Sequence, residues 1–283
     1  MSWLGLDIGG ANLKAATSEG CTSSVPFPLW QNPQSLAAAL RQLIATLPPS
    51  TGLAVTMTGE LADCFPDKVA GVHAILDAVE IAAEARQIRV YTLDGRLLPP
   101  DEVRLDPRAA AAANWHALAR FTSRWLPPAQ NGLLVDIGST TTDVIRIGTT
   151  GPITKSRTDL ERLLAGELIY TGVMRSPVCG LVERVPFRGR WCRVAQELFA
   201  TTRDVHLLRG NLPEAPDDLD TADGRPATRP FAQVRLGRIL CADDSEFDSR
   251  DAFEIARYVH KAQVDRILEV LQRYAQAREV ADC

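Results

Sequence analysis

Leu133-Leu134-Val135-Asp136-Ile137-Gly138-Ser139-Thr140-Thr141-Thr142-Asp143-Val144 is the stretch on which the reading of this chain turns. An apolar run ends on one carboxylate, bends through a glycine, passes four hydroxyl side chains and re-enters an apolar run at Val144-Ile145. β-Branched residues around a Gly-Ser punctuation predict strand, turn, strand. At such a turn the backbone N–H groups converge on a concavity that binds an anion. Ser139, Thr140, Thr141 and Thr142 add hydroxyl donors, and phosphate is the ligand that uses so many.

The same pattern stands at the N-terminus as Leu4-Gly5-Leu6-Asp7-Ile8-Gly9-Gly10-Ala11-Asn12-Leu13-Lys14-Ala15. Asp7 matches Asp136, Ile8 matches Ile137 and Gly9 matches Gly138. A repeat this far apart predicts two related lobes, each offering one phosphate-binding hairpin to a shared cleft. Either hairpin alone is equally an ordinary β-turn in a sheet; the pair is what argues for a site.

The bulk numbers set limits. At 283 residues the chain is long enough for two lobes, and 46% hydrophobic with 23% charged residues is ordinary globular composition. A net charge of −4 argues against nucleic-acid binding, which leaves a basic excess or stripe. No apolar run approaches the ~18 residues that span a bilayer, and Met1-Ser2-Trp3 leads straight into the first strand without a signal peptide. The expectation is a cytoplasmic protein without nucleic-acid or membrane partners, with a homodimer left open. Six cysteines without a Cys-x-x-Cys pair predict free thiols, and the four scattered histidines predict surface or packed side chains.

In chain order, Trp3 to Ala16 reads as the first hairpin and Cys21 to Pro28 as a ribbon strand. Gln34 to Leu47 is an amphipathic helix closed by Pro48-Pro49. Leu53 to Thr58 is a buried strand closed by Gly59, and Glu60 and Asp63 follow its carboxyl end, where open α/β sheets place ligands. A helix N-terminal acid is the equal alternative for Glu60. Val69 to Arg86 is a helix, Ile88 to Leu93 a strand, and Asp94-Gly95 turns it into a hairpin with Arg96 to Leu98. Arg108 to Trp125, rich in alanine, predicts a helix whose Asn114 either reaches a ligand or makes a buried helix–helix bond. Pro127 to Gly132 has linker composition and marks the lobe boundary.

After the second hairpin, Gly151 to Thr154 reads as a return strand and Asp159 to Leu164 as a short helix. Gly166-Glu167-Leu168 then echoes Gly59-Glu60-Leu61, in keeping with duplication. Residues 175–248, dense in Arg and Pro, read as an inserted subdomain that sets substrate selectivity. Its acidic loop, Asp217, Asp218, Asp220 and Asp223, fails as an EF-hand because the twelfth position from Asp218 is Arg229. A solvated turn is expected there, with a magnesium or substrate contact as second choice. Arg250 to Arg278 reads as a closing helix whose apolar stripe, Phe253 to Leu271, is core.

Asp-Ile-Gly-Gly-Ala-Asn-Leu-Lys at 7–14 and Asp-Ile-Gly-Ser-Thr-Thr-Thr-Asp at 136–143 resemble the two phosphate motifs of the actin/sugar-kinase/Hsp70 superfamily. Within it, the chain is similar to the hydantoinase/oxoprolinase-like proteins of tetrahydromethanopterin-linked C1 metabolism. Met57 to Leu61, Ala112 to Trp115, Gly166 to Gly172 and Thr221 to Gly224 carry that narrower likeness. The resemblance implies an α/β, actin-like ATPase (ribonuclease H-like) duplicated fold, two lobes around a central cleft. The expected lobes are 1–128 and 129–283, the second with its insertion at about 175–248 and its last strand missing. It also implies a transferase of methanofuran-type cofactor biosynthesis that condenses an aminomethylfuran diphosphate with a tyramine-type phenol and releases pyrophosphate.

No Gly-Lys pair and no Gly-x-Gly-x-x-Gly occur, so the hairpins are the anion site. Gly9, Gly10, Asn12, Gly138, Ser139, Thr140, Thr141 and Thr142 are the expected phosphate contacts, holding a diphosphate substrate or ATP. Asp7 and Asp136 beside phosphate demand a cation, and magnesium, bound largely through water, resolves this. Lys14 is placed to neutralise a departing oxygen. Glu60, Asp63, Glu167 and Asp143 are candidate bases, the resemblance pointing to Glu60, while Asp143 equally reads as a strand residue paired with an arginine. The sequence given stops at Val280-Ala281-Asp282-Cys283 without the superfamily's glycine-rich adenosine motif: either the chain is truncated, or the nucleoside is held otherwise, or it is not needed, and the last option fits a diphosphate substrate and mildly favours it over ATP. An ATP-dependent oxoprolinase- or kinase-type enzyme and a non-catalytic scaffold are the other two readings.

Overall fold

A computed structural model describes residues 2–281, with side chains through residue 274. Trp3–Ile8 forms β1 and Asn12–Thr17 forms β2, an antiparallel hairpin in which Asp7 stands opposite Lys14. β3 (Thr22–Pro26) extends it antiparallel to β2. The helix α1 (Leu36–Ala45) leads to β4 (Gly52–Met57), which lies parallel to β1 and sets Thr56 on the other side of Asp7. Next come α2 (Lys68–Ala83), β5 (Gln87–Tyr91), parallel to β4, and β6 (Leu97–Leu98), returned through the Asp94-Gly95 turn.

The resulting order, β3-β2-β1-β4-β5-β6, is antiparallel on one side of β1 and parallel on the other over its first five strands. That is the ribonuclease H-like sheet of an actin-like lobe, as the sequence implied. Period-2 alternation divides its faces. Leu4, Leu6, Ile8, Leu13, Leu53, Val55 and Met57 are buried in one core with the apolar faces of α1 and α2. Each fully buried Leu or Ile there contributes about 1.5–3 kcal/mol. Asp7 and Lys14 belong to the opposite face, so the sheet hides its apolar residues while leaving its charged pair accessible.

The expected helix over 108–125 is shorter. After α3 (Pro100–Leu105) and a 3-10 turn at Pro107–Ala109, residues 110–113 form a buried turn, and α4 begins only at Asn114, ending at Thr122. Ala112 takes φ +48°, a left-handed conformation that no α-helix continues through. Alanine was read as helix propensity; here its value is small size in a tight turn.

The second hairpin is β7 (Gly132–Ile137) and β8 (Thr142–Gly148), followed by β9 (Gly151–Pro152), α5 (Asp159–Ala165) and β10 (Leu168–Ile169). β10 and β7 flank β8, and β9 pairs with β8. Residues 175–248 supply α6 (Val178–Leu181), an antiparallel ribbon of β11 (Arg184–Phe187) and β12 (Arg190–Arg193), α7 (Thr202–Leu208) and α8 (Arg229–Arg238). The closing helix is α9 (Ser249–Ala281). Of the last four residues, after which the final strand was expected to be missing, Val280 and Ala281 belong to α9, and Asp282 and Cys283 lie outside the described residues.

Contacts gather the chain into one unit of Met1–Leu134 with Ile145–Glu161 and another of Val135–Val144 with Arg162–Cys283. The division passes through β7 and β8, and the Pro127–Gly132 connection lies inside the first unit. In the second, Ala252, Ile255, Ala256 and Val259 of α9 are buried with Val185, Val205 and Leu236. Phe253, Val264 and Leu268 stay exposed, so only part of the expected stripe is core. In the acidic loop Asp217 and Asp220 are exposed, as a solvated turn requires, while Arg203 pairs with Asp218, and Arg225 and the fully buried Arg235 hold Asp223. Among the described residues no three His, Cys, Asp or Glu side chains gather as metal ligands, and the five described cysteines are free.

Candidate functional site

The first hairpin turn is closed by the Gly9 amide donating to the Asn12 carbonyl at 3.0 Å. Three of its carbonyls are engaged: Ile8 by the amides of Thr58 and Gly59, Gly10 by Leu29 and Ala11 by Phe27. With the carbonyls tied back, the amides of Gly10 and Ala11 make no hydrogen bond among the described residues. Nothing stands within 4 Å of where a Gly10 Cβ would lie. Open backbone with unengaged amides of this kind is what an anion fills. Asp7 is held by its two cross-strand neighbours, Lys14 Nζ at 3.4 Å and Thr56 Oγ1 at 3.4 Å. Asp7 and Lys14 line a groove of about 510 Å³ on this face of the sheet, floored by Gly5, Ala16 and Ala54.

The second turn repeats the device. Gly138 donates to the Thr141 carbonyl at 2.9 Å. The Gly138 carbonyl accepts from Val173, and the Ser139 carbonyl from Met174 and Arg175. The amides of Ser139, Thr140 and Thr141 make no hydrogen bond among the described residues. Asp136 is half-buried on β7 just ahead of the turn. Thr142 departs from expectation. It is fully buried, and its hydroxyl donates to the Thr171 carbonyl at 2.8 Å, so it braces the turn and offers nothing to a ligand.

Each turn rests on a second glycine. A Cβ on Gly59 would stand 3.2 Å from the Gly9 carbonyl, and one on Gly172 2.6 Å from that of Gly138. The echo of Gly59-Glu60-Leu61 in Gly166-Glu167-Leu168 is therefore not structural. Gly166, at φ +73°, ends α5, and the counterpart of Thr58-Gly59 is Thr171-Gly172. A Thr-Gly pair after each hairpin was the sequence signal that finds it. The polar residues behind Gly172, namely Ser176, Thr202, His206 and Gln263, were missed. The available clue was a glutamine among the apolar positions of α9.

Glu60 is 1% exposed, and its Oε2 has no hydrogen-bond partner among the described residues. Burial raises its pKa above the ordinary 4.5; its own amide, Lys68 and the Ala112 amide oppose the rise, and Asp159 adds to it. The left-handed turn at Ala112 thus aims an amide at this carboxyl. Glu60 does not serve α2 as an N-terminal acid, since that helix starts at Lys68 with Asp67 as its cap, accepting from Ala70 at 2.8 Å. Its main chain is seated against α2, where a Cβ on Gly71 would meet the Glu60 carbonyl at 1.9 Å. A carboxyl that is buried, raised and directly after the Gly59 floor has the environment of an acid/base group.

The other candidates are placed differently. Asp63 is exposed. Asp143 forms an ion pair with Arg162, which is 2% exposed, as the reading of a strand residue paired with an arginine expects. Glu167 is buried, its carbonyl accepting from Val144. Asn114 accepts from the amide of Trp115 at 2.7 Å, a local bond at the start of α4 and not a helix–helix one. The structure therefore groups Asp7, Lys14, Gly9, Gly10 and Asn12 about one hairpin, and Asp136 and Gly138 to Thr141 about the other.

An α/β protein of the actin-like fold, with a glycine turn backed by a Thr-Gly pair in each unit, is the class that these features define. The chain belongs to the hydantoinase/oxoprolinase family, whose pattern matches residues 52–282. It is 32% identical over 282 residues to the (4-{4-[2-(gamma-L-glutamylamino)ethyl]phenoxymethyl}furan-2-yl)methanamine synthase of Methanocaldococcus jannaschii, covering 99% of this chain and 83% of that one. The synthase of the same name from Methanococcus vannielii is 35% identical over 147 residues, 52% of this chain and 66% of its own. Among solved structures, a Ppx/GppA phosphatase of Aquifex aeolicus aligns with 96% of this chain and 93% of its own, at 10% identity and a TM-score of 0.40. Among the described residues no helix is long and apolar enough to cross a membrane.

Proposed function

We propose that this protein is a transferase of methanofuran-type C1-carrier biosynthesis, joining an aminomethylfuran diphosphate to the phenol of a tyramine or glutamyl-tyramine unit with release of pyrophosphate. The observation that carries this reading is the 32% identity to the Methanocaldococcus synthase across 99% of the chain. That relative's name describes a phenoxymethyl furan, an ether between a phenol oxygen and a furan-bearing methylene. Such an ether forms when the phenol oxygen attacks the methylene carbon. The bond from that carbon to the diphosphate oxygen breaks, its electron pair leaves with pyrophosphate, and the phenol proton passes to a base.

The residues have matching roles. The free amides at 10–11 and 139–141 receive phosphate oxygens, and Lys14 offsets charge on the leaving oxygen. Free phenol titrates near ~10, so a base whose own pKa is raised toward it is favoured. Glu60 is that base. Magnesium bound with the diphosphate would supply positive charge to the leaving group. Single carboxylates at Asp7 and Asp136 fit this ion, which binds through one or two carboxylates, water and substrate phosphates.

The test is incubation of the protein with an aminomethylfuran diphosphate and a tyramine derivative, reading released pyrophosphate and the ether product. Folded protein that releases none removes the reading. The ATP-dependent alternative predicts stabilisation of roughly 2.7 kcal/mol at a hundredfold excess of MgATP over its Kd. An unchanged melting temperature at millimolar MgATP counts against it.

A further inference from the structure

Gln263 is a polar side chain set among apolar ones on α9, and it is only 4% exposed. Its Nε2 donates to the Gly172 carbonyl at 2.8 Å and to Thr171 Oγ1 at 3.0 Å. A carbonyl can only accept, so this contact orients the amide and leaves Oε1 facing His206 Nε2 at 3.1 Å. His206 Nε2 therefore carries the ring proton, and Nδ1 accepts from Asn211 Nδ2 at 3.1 Å. Burial lowers the His206 pKa, against the Gln263 hydrogen bond, which raises it. The same Gly172 carbonyl accepts from Thr202 Oγ1 at 2.8 Å, and Thr202 is fully buried.

The other side of Gly172 is the glycine turn itself. The next residues, Val173, Met174 and Arg175, donate their amides to the Gly138 and Ser139 carbonyls at 2.9 to 3.0 Å. Ser176 Oγ closes the segment by accepting from the Gly172 amide at 2.9 Å. A continuous set of hydrogen bonds thus runs from α7 and α9 through one peptide group to the carbonyls of the turn. If that peptide rotates, the amides of 173–175 lose their aim, and the turn loses what keeps its own amides pointing outward.

We propose that Gln263 and Thr202 are positioning residues for the second glycine turn, holding the Gly172 carbonyl so that the free amides of Ser139, Thr140 and Thr141 converge on a phosphate. Neither side chain touches the ligand. The inference rests on reading that turn as a phosphate site.

Isothermal titration of inorganic pyrophosphate with magnesium into the full chain reads the site directly. Gln263→Leu is expected to weaken pyrophosphate roughly tenfold, and Thr202→Val, which keeps the volume and removes one hydroxyl, about threefold. Both are measured in protein shown by its melting curve to be folded. A merely structural role would lower the melting temperature and leave the Kd of the folded protein unchanged, so a wild-type Kd in either folded variant overturns the proposal. If Gln263→Leu does not fold, Thr202→Val decides alone. No pyrophosphate binding by the unsubstituted chain would remove the phosphate site and this role together. Binding without synthase activity would sink the proposed reaction and leave the positioning role standing.

Discussion

Gly172 lies so close to Gly138 that a Cβ on it would stand 2.6 Å from the Gly138 carbonyl oxygen and 2.6 Å from the Ser139 carbonyl carbon. All these are main-chain atoms, which cannot swing aside. In the first hairpin the nearest obstacle to a Cβ on Gly59 is the Leu29 Cδ2 at 2.7 Å, the far end of a flexible side chain, with the Gly9 carbonyl at 3.2 Å. The two turns share a design and differ in tolerance.

Gly172→Ala should therefore cost about 1–3 kcal/mol through overpacking and weaken pyrophosphate by more than tenfold. Gly59→Ala should cost less than Gly172→Ala, because Leu29 can rotate away. Melting curves and pyrophosphate titrations of the two variants check the ranking, and a Gly172→Ala protein that matches wild type in both measurements contradicts it.

Glu60 predicts a pH dependence with a definite sign. Its pKa is raised in the folded state, so the folded protein binds a proton there more tightly than the unfolded chain does. The stabilisation is fully present below the ordinary value of 4.5 and is lost as pH rises through the raised folded value. Glu60→Gln lacks this loss, so wild type minus variant in melting temperature should fall as pH rises from 4.5. The variant should also lose synthase activity while remaining at least as stable as wild type at neutral pH. Parallel melting curves across that range would show that Glu60 does not titrate abnormally.

Thr142 and Thr141 separate bracing from binding. Thr142→Val leaves the Thr171 carbonyl without its hydroxyl donor and should cost about 0.5–1.5 kcal/mol. Thr141→Val, with a half-buried side chain and no bond inside the protein among the described residues, should leave the melting temperature unchanged and weaken pyrophosphate. Reversal of the two phenotypes would mean that the hydroxyls face the other way in solution.

Asp7→Asn should remove activity by two orders of magnitude or more, since the substitution deletes the charge while keeping the shape. Its stability should change by less than about 1 kcal/mol, because the pair is long at 3.4 Å, Lys14 is largely exposed, and such solvent-screened pairs contribute little. A stable, fully active Asp7→Asn protein would exclude a cation-linked role for this carboxylate.

Both hairpins, the helix periods of α1, α2 and α9, and the Asp94-Gly95 return were legible in the sequence. Glycine turns, β-branched runs and 3.6-residue spacing act over a few neighbouring residues, so the chain declares them locally. The Asp7–Lys14 pair was not read in the sequence, although a hairpin's register follows from its turn and sets the two residues opposite one another. Only the tertiary structure decided that Glu60 is buried without a partner for its Oε2 among the described residues and that Thr142 points inward. It alone showed that Gly172, and not Gly166, is the second floor glycine, and that arginines pair with Asp218 and Asp223 of the acidic loop. These outcomes depend on partners far apart in the chain, 29 residues for Thr142 to Thr171 and 92 for Gln263 to Thr171. Local propensity also misread residues 110–113, where burial selected alanine for its size and the left-handed turn at Ala112 broke the helix that composition favoured. Sequence determines which turns and periods form; what each polar group meets once buried is settled by packing.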